Sequence, residues 1–119
     1  MNNLSNALDH FAGKKILITG NTGFKGSWLS IFLKSIGSDV YGLSDKPYEG
    51  IYKMANVNSI LSKQEYLNLN DVSLEKLIEV FNEINPEIVF HFSAQSLVPV
   101  AMRKPIETLS TNIIGTYKI

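Results

Sequence analysis

Three glycines, Gly20, Gly23 and Gly26, stand at three-residue spacing in the stretch TGNTGFKGSWL, residues 19–29, just before a run of bulky apolar residues. Glycine has the most backbone freedom to lose on folding and weakens a helix start unless its missing side chain serves a purpose. The purpose that fits this position is close approach of an anion. Backbone N–H groups at the start of a helix, reinforced by the helix dipole, favour negative charge there. One glycine allows a tight turn, the next lets a phosphate come near, and the last lets helix and strand pack closely. The spacing therefore points to a pyrophosphate held by bare main chain.

A second feature supports this reading. Asp45 lies 19 residues beyond Gly26, just past a second apolar run. An acid near that separation suits the ribose hydroxyls of an adenosine. Ser44 is an alternative for the ribose position, and Lys46 would tolerate a 2′-phosphate, so NAD is preferred to NADP on Asp45 alone. Lys25 either touches phosphate or is solvated on an exposed helix turn. A tight turn beside an unrelated surface acid would give the same pattern, since GxxGxxG by itself is a weak signal.

The elements that must position these residues follow from periodicity. KKILITG (14–20), DVYGLS (39–44), EYLNL (65–69) and EIVFHFSA (87–94) read as strands. Phe24 to Ile36 recurs near helical spacing and ends at Gly37, and a helical turn is expected near Tyr52–Ala55. Asp71 or Ser73 caps a helix with a stripe of Leu74, Leu77, Ile78, Phe81 and Ile84. QSLVP reads as a polar turn, and Pro105 restarts a helix through PIETLSTNIIGTYKI. Strands alternating with helices imply parallel pairing through right-handed crossovers. The expected fold class is α/β, a doubly wound parallel sheet of about four strands. Residues 1–12 are expected to be a tail and 13–119 a partial dinucleotide-binding domain. His10 then belongs to the tail, Trp28 and Phe32 to the core, and His91 is a satisfied core histidine rather than a base.

Bulk properties exclude several classes. Eleven Lys and Arg balance eleven Asp and Glu across the 119 residues, so no basic excess exists for nucleic acid or an acidic membrane. Apolar residues at 45% and charged residues at 18% suit one globular domain. Absence of cysteine excludes disulfides and thiolate metal sites, and no metal is expected. The first fifteen residues lack a secretory signal, and no apolar run spans a bilayer, so a cytoplasmic protein is the expectation.

TGNTGFKGSWL resembles the TGxxGFxG signature of the extended short-chain dehydrogenase/reductases. GFKGSWL resembles their CDP-glucose 4,6-dehydratase group, as do NPEIVFHFSAQSLV, with Ser93 where alanine is usual, and PIETLSTNIIGT. The resemblance covers most of residues 13–119 and implies a Rossmann-type sheet in the strand order 3-2-1-4, incomplete relative to the full family fold. It implies that the backbone around Gly20, Thr22, Gly23, Phe24, Lys25 and Gly26 holds the pyrophosphate of NAD. Asn68 and Leu69 would meet adenine, Asn68 replacing the usual acid with an amide able to pair with the base edge. Phe92, Ser93 and Ala94 would line the cofactor, and Gln95 and Ser96 would lie near a nucleotide-sugar substrate. Asn112 would support the proton relay of the active site, although a mid-helix asparagine also bonds simply to backbone.

The implied reaction moves a hydride from C4 of the hexose to NAD, eliminates water across C5 and C6, and returns the hydride to C6. Its Tyr-x-x-x-Lys pair is missing here. Tyr41, Tyr48, Tyr52 and Tyr66 have no lysine four residues on, and Tyr117 is too near the end. The elimination residues of the family would also fall downstream. The chain is thus expected to be the amino-terminal part of a longer enzyme, inactive by itself. Its fourth strand would be left as an edge and its last helix unpartnered, so a homodimer or larger assembly is expected. Two alternatives are another nucleotide-sugar epimerase or dehydratase, and a non-catalytic dinucleotide-sensing module.

Overall fold

The computed structural model describes residues 2–119. Four parallel strands, β1 (Lys15–Thr19), β2 (Asp39–Ser44), β3 (Lys63–Tyr66) and β4 (Ile88–His91), form one sheet in the order β3-β2-β1-β4. The parallel pairing is that expected from the alternation of apolar runs, and the order is the one the family resemblance implied. Burial follows from the period of two along β1. Ile16 and Ile18 face one side with Leu33 and Val40, while Leu17 faces the other with Leu43, Leu77, Val80 and Ile84. Both faces of the sheet are therefore covered.

The helices preceding and linking the strands are α1 (Asn2–Asp9), α2 (Phe24–Ser35), α3 (Ile51–Met54) and α4 (Leu74–Ile84). A 3₁₀ turn at Val57–Ile60 leads into β3. Beyond β4 come α5 (Val98–Arg103), α6 (Pro105–Leu109), a π turn at Ser110–Ile114 and α7 (Gly115–Lys118). Ser73 caps α4, its hydroxyl accepting the Lys76 N–H at 3.2 Å, and Asn85 ends the helix in the left-handed region at φ +50°. Ser73→Ala is expected to cost about 1 kcal/mol, read as a lower urea midpoint at unchanged slope.

Several expectations need correction. Trp28 and Phe32 are not core residues: they are 50% and 46% exposed. The face of α2 that meets the sheet is instead Gly26, Ser27, Ser30 and Leu33. Small side chains let the helix lie close to β1, with Ser27 and Ser30 hydroxyls returned to the Asn21 and Gly26 carbonyls. The aromatic stripe is then turned outward. On α4 the buried stripe is Leu77, Val80 and Ile84, with Leu74 and Ile78 exposed. β3 begins two residues earlier than expected and ends at Tyr66, because the chain turns at Asn68, whose carbonyl accepts the Asp71 and Val72 amides. QSLVP is not all turn, since Val98 and Pro99 open α5, a position proline tolerates.

Residues 2–9 are helical where a tail was expected. Phe11 packs against the Ile16–Val40 cluster and lies 6.4 Å from the Phe90 ring, and its carbonyl accepts the Ser38 hydroxyl at 2.8 Å. His10 rests edge-on against Phe11 at 5.6 Å.

Candidate functional site

The carboxyl ends of β1, β2 and β4 converge on the glycine turn. Gly20 has φ +70°, and a Cβ there would stand 2.7 Å from the Phe92 carbonyl carbon and the Ser93 nitrogen. A Cβ on Gly26 would stand 2.4 Å from the Gly20 oxygen. These two glycines permit backbone-on-backbone contact with β4 and within the turn. Gly23 differs. It precedes the first residue of α2 in extended conformation, is exposed, and a Cβ would meet only the Gly20 oxygen at 3.3 Å. The first-turn amides of α2 have no intrahelical acceptor and open onto that face. Lys25 is exposed on the same turn.

Beside this turn is a cavity of about 370 Å³ lined by Thr22, Gly23, Phe24, Asp45, Lys46 and Tyr48, among others. Ser44 is buried, its hydroxyl 3.0 Å from that of Thr22 and 3.1 Å from the Asp45 carbonyl. The Thr22 hydroxyl donates to the same carbonyl at 3.2 Å. Thr22 and Ser44 thus tie the glycine turn to the end of β2, and of the two ribose candidates Asp45 is the one presented to the cavity. Partial burial raises the Asp45 carboxyl above the ordinary range, the Asn68 amide at 3.3 Å opposes this, and Asp71 adds to it.

Asn68 lies next to the cavity, its Oδ1 accepting the Asn70 N–H at 2.8 Å. Leu69 is elsewhere. Its side chain is in the core at 4% exposure and its carbonyl accepts Lys118 Nζ at 3.0 Å, so it anchors the Asn68 turn rather than presenting a side chain to a ligand. Phe92, Ser93 and Ala94 follow β4, and the Phe92–Ser93 peptide lies directly against Gly20. Asn112 sits in the π turn and clamps the Gln95 backbone from both sides, accepting the Gln95 N–H at 2.7 Å and donating to its carbonyl at 2.9 Å. A helix widened to π geometry is a common mark of a functional position. The Gln95 side chain folds back on its own loop, paired with both backbone groups of Leu97, and Ser96 is exposed.

Two participants escaped sequence reasoning. Asn21 is fully buried under the turn, its Nδ2 donating to Gln64 Oε1 at 2.6 Å while its Oδ1 has no partner. The Tyr52 hydroxyl reaches the same Gln64 oxygen at 2.9 Å, and burial together with neighbouring Tyr66 holds its ionisation well above the ordinary phenol range. This polar knot fastens β3 and α3 beneath the glycine turn. Among the described residues no group of three or more His, Asp or Glu side chains is arranged to hold a metal. No described helix is long and apolar enough to cross a membrane.

The family model for GDP-mannose 4,6 dehydratase matches residues 17–119. The chain belongs to that family. It is 40% identical over 110 residues to CDP-glucose 4,6-dehydratase of Salmonella typhimurium, covering 90% of this chain and 30% of that protein. It is 32% identical over 113 residues to GDP-mannose 4,6-dehydratase of Vibrio cholerae, covering 89% and 30%. The chain thus spans about a third of the length of the curated relatives it matches. Among solved structures, the UDP-glucose 4-epimerase of Thermus thermophilus in complex with NAD superposes with a TM-score of 0.73 at 27% identity, covering 87% of this chain and 31% of that one. The epimerase Mth375 of Methanothermobacter thermautotrophicus gives 0.76 at 26%, covering 95% and 32%. Likeness of this extent accords with the Rossmann-type fold expected of an extended short-chain dehydrogenase/reductase.

Proposed function

We propose that the chain is the NAD-binding part of a nucleotide-sugar 4,6-dehydratase, with CDP-glucose as the favoured sugar nucleotide. The observation that carries this reading is the division of labour among the three glycines: two are barred from side chains by backbone, and the third, exposed at the start of α2, would bring a Cβ near the Gly20 oxygen alone. The residues present fit a dinucleotide. The amides from Thr22 to Gly26 would take the pyrophosphate, Asp45 the adenosine ribose, Asn68 the adenine edge, and Phe92 to Ala94 the stretch toward nicotinamide. When bound, NAD would supply the hydride acceptor, and this chain's contribution is to bind and orient it. Both Asp45 and Glu49 line the ribose cavity, and two acids there disfavour an added 2′-phosphate despite Lys46.

Asn112 acts by holding the Gln95 loop, beside which the sugar would lie. With no Tyr-x-x-x-Lys pair among the 119 residues, the chain by itself is proposed to perform no dehydration. Self-association is part of the same reading: β4 is a sheet edge, and Met102, Ile106, Leu109 and Tyr117 expose an apolar face on the last helices. A cytoplasmic location accords with the nucleotide-sugar substrate. Light scattering at micromolar concentration is expected to give at least a dimer mass, and a monomer mass would refute that part.

Titration calorimetry tests the binding. NAD is expected to bind, more weakly than to an intact dehydratase and more tightly than NADP; no heat with NAD, or preference for NADP, would contradict the proposal. Asp45→Asn refines it. A carboxyl whose ionisation is raised by folding makes the charged form costly above its unfolded range, a cost that disappears as pH falls through its folded range. The variant is therefore expected to melt slightly higher than the parent at neutral pH, with the gap closing in acid. NAD affinity is expected to fall about fivefold, because a charge-assisted hydrogen bond is worth roughly 1 kcal/mol more than a neutral one.

A further inference from the structure

Thr19 ends β1 and His91 ends β4, and the two are paired in register. The Thr19 hydroxyl oxygen accepts the Phe92 N–H at 3.1 Å and the Ser93 N–H at 3.2 Å. The Phe92 N–H is shared with the Thr19 backbone carbonyl at 3.0 Å, so the hydroxyl accepts one full bond and part of another, and its single proton is left for His91 Nδ1, 2.6 Å away. Nδ1 is then an acceptor, which puts the ring proton on Nε2. Nε2 meets the Thr116 hydroxyl at 2.9 Å and donates to it. Thr116 donates its own proton to the Asn112 carbonyl at 2.7 Å, and Asn112 clamps Gln95. The chain of bonds runs from the end of β1, beside the glycine turn, to the loop beyond β4.

We propose that neutral His91 is a positioning residue that holds the glycine turn and the Gln95 loop at one separation, and that a second ring proton breaks the linkage. An imidazolium would aim a donor at a hydroxyl that already accepts from two amides. Either His91 then leaves Thr19, or the Thr19 hydroxyl releases the Ser93 amide and leaves the Phe92 amide to the Thr19 carbonyl alone. The surroundings favour the neutral ring. Burial holds His91 below the ordinary histidine range. From β1 the ring meets Thr19 and from α7 Thr116, neither of which titrates. The cations on those elements are turned away: Lys15 bonds to the Ile84 carbonyl, and Lys118 to the Leu69 and Val72 carbonyls. The consequence for cofactor binding rests on the NAD reading above, whereas the linkage itself does not.

Nitrogen-15 NMR of the labelled chain, taken from about pH 8 to about pH 5, tests it. The ring is expected to carry its proton on Nε2 at the upper end. The backbone amides of Phe92, Ser93 and Gln95 and the side-chain amide of Asn112 are then expected to shift with the same midpoint as the ring. In His91→Gln, which cannot titrate, those steps vanish. In Thr116→Val the Phe92 and Ser93 steps persist while those of Gln95 and Asn112 are lost. A proton on Nδ1, steps that survive in His91→Gln, or Gln95 and Asn112 still following the ring in Thr116→Val would each overturn the proposal. Should His91→Gln fail to fold, Thr116→Val decides alone, because Thr116 is exposed. The same samples titrated with NAD report the binding reading separately, since absent NAD shifts would leave the linkage result unchanged.

Discussion

Gly26→Ala is expected to lower folding stability by roughly 2 kcal/mol and to abolish NAD binding, although alanine is the better helix former. Helix propensity favours alanine over glycine by about 1 kcal/mol. Against that, the new Cβ would stand 2.4 Å from the Gly20 oxygen and 2.6 Å from the Asn21 Cα, both backbone atoms that cannot swing aside. Overpacking of this kind costs about 1–3 kcal/mol, and sometimes more. Tilting α2 to relieve it would pull Ser27 off the Asn21 carbonyl at 3.1 Å, so the steric term wins. Gly23→Ala is the informative companion. Its Cβ has a single neighbour, the Gly20 oxygen at 3.3 Å, and alanine is a poorer N-cap than glycine, so stability should fall by about 1 kcal/mol, less than for Gly26→Ala, while the methyl would cover the exposed face of the turn. Urea unfolding of both variants beside NAD calorimetry checks the pair; if Gly23→Ala binds like the parent, the exposed face is not the binding face.

Leu17→Ala is expected to cost about 3 kcal/mol, within the range for deleting a fully buried leucine. Leu17 is 0% exposed on the central strand, paired with Tyr41 of β2 and Val89 of β4. It packs in the cluster that holds α4 to the sheet, so the cavity would open between rigid elements with little room to collapse. The measurement is the urea midpoint at constant slope. A loss under about 1 kcal/mol would mean that this side of the sheet is loosely packed.

The fold was legible wherever a short apolar run had to be buried on both faces. β1 and β2 are such runs, and the alternation with helices implied a parallel sheet, whereas the strand order followed from the family resemblance. What sequence patterns did not reveal is which face of a helix wins the sheet. Trp28 and Phe32 are the bulkiest apolar residues of α2 alongside Phe24, but Gly26, Ser27 and Ser30 permit closer approach, and that choice is made by tertiary packing. α1 was missed because it is short and three of its eight residues are asparagine, a poor helix former, and α5 because Pro99 reads as a turn until it is placed in the first turn of a helix.

The candidate site divides the same way. The glycine turn and Asp45 are local motifs, readable from spacing. Leu69 looked like a ligand contact by resemblance, yet its neighbours in the core claim its side chain. The Thr19–His91–Thr116 bonds join residues 72 and 25 positions apart, and only the pairing of β4 with β1 brings them together. Asn21 is similar: a polar residue in a turn motif reads as solvated until Gln64, 43 positions on, is found against it.

Amide NMR of the chain during titration with NAD probes the central claim most directly. Saturable shifts at the N–H groups of Thr22 to Gly26, joined by Asp45 and Lys46, are the expected result. Shifts confined to another surface, such as the open cavity beside Arg103 and Ser110, or none at saturating NAD, would contradict it.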